Sequence, residues 1–201
     1  MVKLGEEIDF GRGDYDLEEF MLFAIMVPGK KASTTVRLVD DILRKMHSDV
    51  DLGRELKPFE LIRSWLERHP HVDFAIWLRH KGVGCYNHRA KAIKGVVESG
   101  LNLRECTIED LEKLYGVGQK TSRFFLMCNR PNVKAAILDR HILRYLSQRG
   151  YSVPESTPTN KAEYKRIERI FLREAERNDA DPMQFDYAIW KEGAGVNSST
   201  L

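Results

Sequence analysis

Apolar residues recur along most of the chain at three- and four-residue intervals, the period of an amphipathic helix, and nowhere alternate as a half-buried strand would. Residues 17–27 form a near-continuous apolar run, which predicts a buried helix stopped by Pro28 and Gly29. Over 33–46, Val36, Val39, Ile42, Leu43 and Met46 share a helical face. Pro58, a residue suited to the first helical turn, leads a helix carrying Leu61, Ile62, Trp65 and Leu66. Shorter helices are predicted over 72–80 and over 89–98, the latter ended by Gly100. The run Thr107-Ile108-Glu109-Asp110 reads as a near capping box opening a helix over 110–114. Helices over 120–128, 140–148, 161–178 and 183–191 complete the pattern, with a Pro/Ser/Thr-rich linker at 153–159. About ten helices with short connections make an all-α fold. Two helical halves sharing a cleft fit this pattern, but periodicity draws no boundary between them.

At 201 residues the chain has room for one large domain or two small helical subdomains. A hydrophobic fraction of 42% and a charged fraction of 31% describe an ordinary globular protein. No stretch approaches the roughly 18 apolar residues of a membrane span. The opening Met1-Val2-Lys3-Leu4-Gly5-Glu6-Glu7 has early acids and no apolar core, so no secretory signal is expected. Cys85, Cys106 and Cys128 are widely spaced and form no metal-ligand pattern, so they are expected to be reduced thiols in a cytosolic protein. The net charge of +2 is too small to mark a nucleic-acid binder. Its distribution says more: Lys30, Lys31, Arg79, His80, Lys81, His88, Arg89, Lys91 and Lys94 fall near predicted turns and helix starts, where a phosphate binds. A solvated surface accounts for them equally well.

The stretch Leu114-Tyr115-Gly116-Val117-Gly118-Gln119-Lys120-Thr121 carries the chemistry. Two glycines flank one apolar residue between helices, and glycine supplies the positive φ and the close approach that a tight turn needs. Outward amides at the next helix start would then form an anion site suited to a DNA phosphate. An ordinary turn between two helices is the plain alternative. Lys120 stands in the first turn of the following helix, where the macrodipole disfavours a cation and favours the neutral, nucleophilic amine. A solvated or phosphate-binding lysine remains open. Asp139, in Ala135-Ala136-Ile137-Leu138-Asp139-Arg140-His141, reads as the N-cap of a buried helix, and also as a carboxylate held at the mouth of a cleft. His141, two residues on, faces away and is read as structural or phosphate-contacting. Phe124 shares a helical face with Lys120, where it lines a pocket or packs in the core.

This hairpin with its lysine, followed by the aspartate of Leu138-Asp139-Arg140-His141-Ile142-Leu143, resembles the helix-hairpin-helix DNA glycosylase superfamily typified by endonuclease III and the 8-oxoguanine DNA glycosylases. Cys85-Tyr86-Asn87-His88-Arg89-Ala90-Lys91-Ala92-Ile93 is similar to another helix opening of that family. The likeness spans residues 17–148, with an echo at Phe185-Asp186-Tyr187-Ala188-Ile189-Trp190, and is strongest to the compact archaeal-type 8-oxoguanine glycosylases. Two departures stand out. The chain ends Ser198-Ser199-Thr200-Leu201 where that group ends at a lysine, and it lacks the four-cysteine loop of endonuclease III.

The resemblance implies a single domain over 1–201, with a motif-bearing core at 17–148 and C-terminal helices at 160–193 completing the second of two subdomains that flank a DNA-binding cleft. It implies a base-excision-repair glycosylase with AP-lyase activity that removes 8-oxoguanine through a Schiff base on Lys120, with Asp139 as electrostatic partner. Gly116, Val117, Gly118, Gln119 and Thr121, with Lys30, Lys31 and Arg89, would hold DNA. Phe124 and Trp190 would line the base pocket, although Trp190 reads equally as core. The carbonyls of Leu114 and Gly116 would hold a monovalent cation. No cofactor and no iron–sulfur cluster are implied. Duplex DNA with a damaged base is the implied partner; a monomer inside the cell, apart from membranes, is expected. Two alternatives stay open: the same scaffold acting on oxidised pyrimidines or another modified base, and a non-catalytic helix-hairpin-helix binding module.

Overall fold

The computed structural model describes residues 8–50, 53–54 and 56–193; the N-terminal heptapeptide and the end of the Gly/Ser/Thr tail considered above lie outside them. The described residues form ten helices and no strand. The chain divides into two compact units, Met1–Gly118 and Gln119–Leu201, a division that falls inside the stretch 17–148.

The first unit holds α1 (Asp14–Met26), α2 (Ala32–Val50), α3 (Pro58–Arg68), α4 (Phe74–His80), α5 (Tyr86–Glu98) and α6 (Ile108–Glu112). Helix α1 is apolar on nearly every face because α2, α3 and α5 all pack on it. Helices α2 and α3 instead bury one stripe each, Val36, Val39, Ile42, Leu43 and Met46 from the first and Phe59, Leu61, Ile62 and Trp65 from the second. Each such buried side chain contributes about 1.5–3 kcal/mol of transfer free energy. Two helix starts differ from the periodicity. Helix α4 begins at Phe74 because Asp73 caps it, accepting the amides of Ala75 at 2.9 Å and Ile76 at 3.1 Å. Helix α5 begins three residues before Arg89, at Tyr86, launched from Cys85 in the left-handed conformation (φ 49°). The capping box of α6 is complete: Thr107 Oγ1 accepts the Asp110 amide, and the Asp110 carboxylate accepts the Thr107 amide, both at 3.1 Å.

The second unit holds α7 (Gln119–Asn129), α8 (Arg140–Gln148), α9 (Lys161–Arg177) and α10 (Pro182–Gly193). Its core gathers Leu138, Ile142, Leu143 and Leu146 with Tyr164, Ile167, Ile170 and Phe171 of α9 and Phe185 and Ile189 of α10. Helix α10 packs on α8 and α9. Residues 135–138 are buried yet form no regular structure, so their backbone groups need side-chain partners. They have them. Glu168 Oε1 accepts the Ala136 amide (3.1 Å), and Tyr164 accepts the Leu138 amide (3.2 Å) while donating to the Ala136 carbonyl (2.8 Å). Thr157 donates to the Leu138 carbonyl (2.7 Å), and Asp186 accepts the Ile137 amide.

Candidate active site

In the first unit, the turn after α6 closes when the Val117 amide donates to the Leu114 carbonyl (3.1 Å). Its two glycines divide the duties that the sequence assigned to both. Gly116 supplies the positive φ (77°), and a Cβ there would stand 2.5 Å from Ala92 Cβ and 3.2 Å from His88 Nε2 of α5. Gly118 is not left-handed, and a Cβ on it would meet nothing within 4 Å. Its lack of a side chain matters only to something arriving from outside. Val117 anchors the turn with a side chain 3% exposed, while Tyr115 is exposed, hydrogen-bonded to His88 Nδ1 (3.1 Å) and covered by Lys91 Nζ at 4.1 Å from its ring.

Two of the expected DNA-contacting cations do something else. Arg89 is 5% exposed and donates to the carbonyls of Gly84 and Pro28, both at 2.7 Å, and burial works against its charge. Lys30 donates to the Gly82 carbonyl (2.9 Å). Together they clip the loop after α1 to the loop before α5, and the Arg89 guanidinium is not available to a phosphate. Lys31 is exposed.

In the second unit, Lys120 is exposed in the first turn of α7. The Gln119 side chain turns back to the Thr159 carbonyl (3.2 Å), so only its backbone is left for a ligand. Thr121 and Phe124 are half-buried. One turn on, the buried Arg123 holds Glu168 bidentately at 2.6 and 3.1 Å. Because Glu168 Oε1 also accepts the Ala136 amide, this carboxylate fastens α7 to the segment that leads into Asp139. Asp139 caps α8 as expected, its Oδ1 accepting the amides of His141 (2.8 Å) and Ile142 (3.0 Å). Lys120 and Asp139 are therefore carried on two elements joined through Glu168. His141 is buried between Arg144 on Nδ1 (3.1 Å) and Arg140 on Nε2 (3.4 Å), with Gly193 seated so closely that any Cβ there would collide with its ring. The phosphate-contacting reading of His141 is thereby set aside. Trp190 is not a core residue either: it is 42% exposed and stacks on the equally exposed Tyr187, ring centroids 6.1 Å apart.

Asp186 was not singled out by its type or spacing. It is 7% exposed, and its Oδ2 has no hydrogen-bond partner among the described residues. Burial pushes its carboxyl up to about 8; the negative charge of Asp139 adds to the effect, and the Ile137 amide and the positive charge of Lys120 oppose it. An acid at a position flanked by Phe185 and Ile189 was the available signal. No group of three or more His, Cys, Asp or Glu suited to a metal ion occurs among the described residues, and no helix among them is long and apolar enough to cross a membrane.

Residues 16–179 match the sequence model of a family described as 8-oxoguanine DNA glycosylase. Among solved structures, the chain is similar to the 8-oxoguanine DNA glycosylase of Thermotoga maritima, at 25% identity over 88% of this chain and 79% of that one, with a TM-score of 0.63. It is also similar to the Methanocaldococcus jannaschii 8-oxoguanine glycosylase/lyase in complex with a 15mer DNA containing 8-oxoguanine, at 23% identity, 96% and 87% coverage and a TM-score of 0.64. The M. jannaschii 8-oxoguanine DNA glycosylase, at 22% identity, covers 95% and 84% with a TM-score of 0.66. These two likenesses bear on the fold.

Proposed function

The chain belongs to the 8-oxoguanine DNA glycosylase family, and from that premise we propose that it excises 8-oxoguanine from duplex DNA and cuts the strand, with Lys120 as nucleophile and Asp139 as its electrostatic partner. The observation that carries the assignment is the fastening of both residues to one scaffold: an exposed lysine at the start of α7 and a carboxylate fixed by two amides at the start of α8, with Glu168 tying the elements together.

The chemistry runs as follows. A base inside the stack cannot be attacked, so the nucleotide is flipped out, at a cost of a few kcal/mol that is lower for a damaged or mispaired base. The exposed pair Trp190 and Tyr187 offers a π-face for the extruded base, and Phe124 lines its approach. The Lys120 amine attacks C1′, the bond from C1′ to the base breaks, and the base leaves with the electron pair and takes up a proton. The Asp139 carboxylate stabilises the positive charge that develops on the sugar. The C1′–O4′ bond then opens with protonation of O4′, leaving an iminium between Lys120 and C1′. Loss of a C2′ proton expels the 3′ phosphate, and hydrolysis returns free Lys120.

The amides of Gly116, Val117 and Gly118, those of Gln119 and Thr121, and the Lys31 ammonium hold the phosphate backbone. Lys30 and Arg89 shape the adjoining loops. A monovalent cation would sit on the carbonyls of Leu114 and Gly116, since the Leu114 oxygen keeps a second lone pair beyond its bond from Val117; it would offset phosphate charge. The lysine supplies the covalent chemistry without a cofactor or an iron–sulfur cluster. The whole chain, 1–201, works as one glycosylase domain, monomeric and inside the cell, where its DNA substrate is.

The test is product analysis on end-labelled duplexes carrying 8-oxoguanine opposite cytosine, thymine glycol, or no lesion. Free 8-oxoguanine together with a break at its position, and no break in the undamaged duplex, is the expected result. Cleavage confined to the thymine-glycol duplex would move the substrate to oxidised pyrimidines. Tight binding with no base release from any duplex would return the chain to the non-catalytic binding class.

A further inference from the structure

A buried carboxyl with an idle oxygen is costly, and such groups persist where something uses them. Asp186 is one. It projects from α10, which packs on α8, and it accepts the amide of Ile137, two residues ahead of Asp139. Its Oδ2 has no partner among the described residues. The charges that face it are the Asp139 carboxylate and the Lys120 ammonium, and the buried Tyr164 phenol of α9 feels its charge in turn. The hydrogen bond from Ile137 alone would be served by an asparagine. What an asparagine lacks is the ability to gain or lose a proton beside Lys120.

We propose that Asp186 is a positioning residue of the Lys120–Asp139 site, which holds its proton in the resting enzyme and so keeps a second anion away from the Lys120 amine. The inference rests on the reading of Lys120 as nucleophile. Two carboxyls near one lysine are useful only if they divide roles, one charged and one neutral. Asp139 has two amides on Oδ1, which favour the carboxylate. Asp186 has burial and one amide, and a charged neighbour of its own sign. The neutral acid with the free amine and the carboxylate with the ammonium carry the same number of protons; they differ by one O–H bond broken and one N–H bond formed. Every increment of negative charge on Asp186 therefore shifts that balance toward the ammonium, which does not attack C1′. The second acid sets the pH at which the nucleophile appears without touching the sugar.

The experiment is the pH dependence of borohydride trapping on an abasic-site duplex, under single turnover, for wild type, Asp186→Asn and Lys120→Ala. Asn keeps an acceptor for Ile137 and cannot ionise. The midpoint of its trapping profile is expected roughly half a unit to one unit below that of wild type, as follows when one nearby anion is removed. An unchanged midpoint with only the amplitude lowered would reduce Asp186 to a structural acceptor and overturn the inference, as would a midpoint moved upward. Adduct persisting in Lys120→Ala would sink the nucleophile assignment itself, a separate failure. Should Asp186→Asn not fold, infrared spectra of the wild-type enzyme decide: the carbonyl band of a buried protonated acid that disappears near pH 8 is expected, and its absence at neutral pH would overturn the proposal.

Discussion

Asp139 carries two duties, a helix cap and a charge, and two substitutions separate them. Its Oδ1 accepts the amides of His141 and Ile142 at 2.8 and 3.0 Å. Asp139→Ala leaves both donors without a side-chain partner, a loss of about 0.5–2 kcal/mol for a cap of this kind. For a chain of this length each kcal/mol lowers the melting temperature by about 2–4 °C, so Ala should melt roughly 1–8 °C below wild type. Asn caps about as well as Asp and should melt within about 1 °C of it. Both variants lose the anion that faces the developing cation on the sugar. By analogy with deletion of a single preorganised electrostatic group, base release should slow by about 10²–10³ in each. Thermal unfolding by circular dichroism and single-turnover release of 8-oxoguanine measure the two effects. If Asp139→Asn releases base at the wild-type rate, the carboxylate is only a cap; if it melts as low as Ala, the capping geometry is not what holds α8.

Other outcomes follow from the same geometry. Gly116→Ala should be strongly destabilised, by about 1–2 kcal/mol for the left-handed backbone and about 1–3 kcal/mol more for the contact with Ala92, as read from denaturant unfolding. Gly118→Ala should unfold like wild type, because its Cβ meets nothing, yet bind duplex DNA more weakly in fluorescence anisotropy, since the added methyl stands where the phosphate backbone approaches. Arg123→Leu strands the Glu168 carboxylate in a buried setting and should cost about 3–5 kcal/mol in denaturant unfolding; Lys, which cannot reproduce the bidentate grip, should rescue it poorly. The folded chain keeps the Asp186 proton up to about pH 8, whereas the unfolded chain releases it near 3.8. The folded state therefore binds more protons across that window, so this group makes stability fall as pH rises through it. Melting curves at several pH values should show a shallower fall for Asp186→Asn than for wild type.

What was legible in the sequence was what local physics decides. Pro58 in a first turn, the Thr107–Asp110 box and the Asp139 cap each act within a few residues of themselves, and the helices begin where those signals stand. Helix α5 began earlier than expected because Cys85 takes a left-handed turn that nothing in a cysteine announces. Charge misled where tertiary packing redirected it. Arg89 and Lys30 sit at helix starts and loops as phosphate ligands do, but the carbonyls of Pro28, Gly82 and Gly84 reach them first. Asp186 lies 47 residues from Asp139 along the chain, and only the packing of α10 on α8 brings its carboxyl to bear on the site. Spacing rules, which work within one helix, had no means of pairing them.

The central claim is that Lys120 forms the covalent bond to DNA. Its most direct test is borohydride reduction of the enzyme on a duplex carrying 8-oxoguanine opposite cytosine, followed by proteolysis and mass mapping of the cross-linked peptide. A single adduct on Lys120, absent from Lys120→Ala although that variant still binds the duplex, is the expected result. An adduct on another residue, or one that survives in Lys120→Ala, would contradict the account.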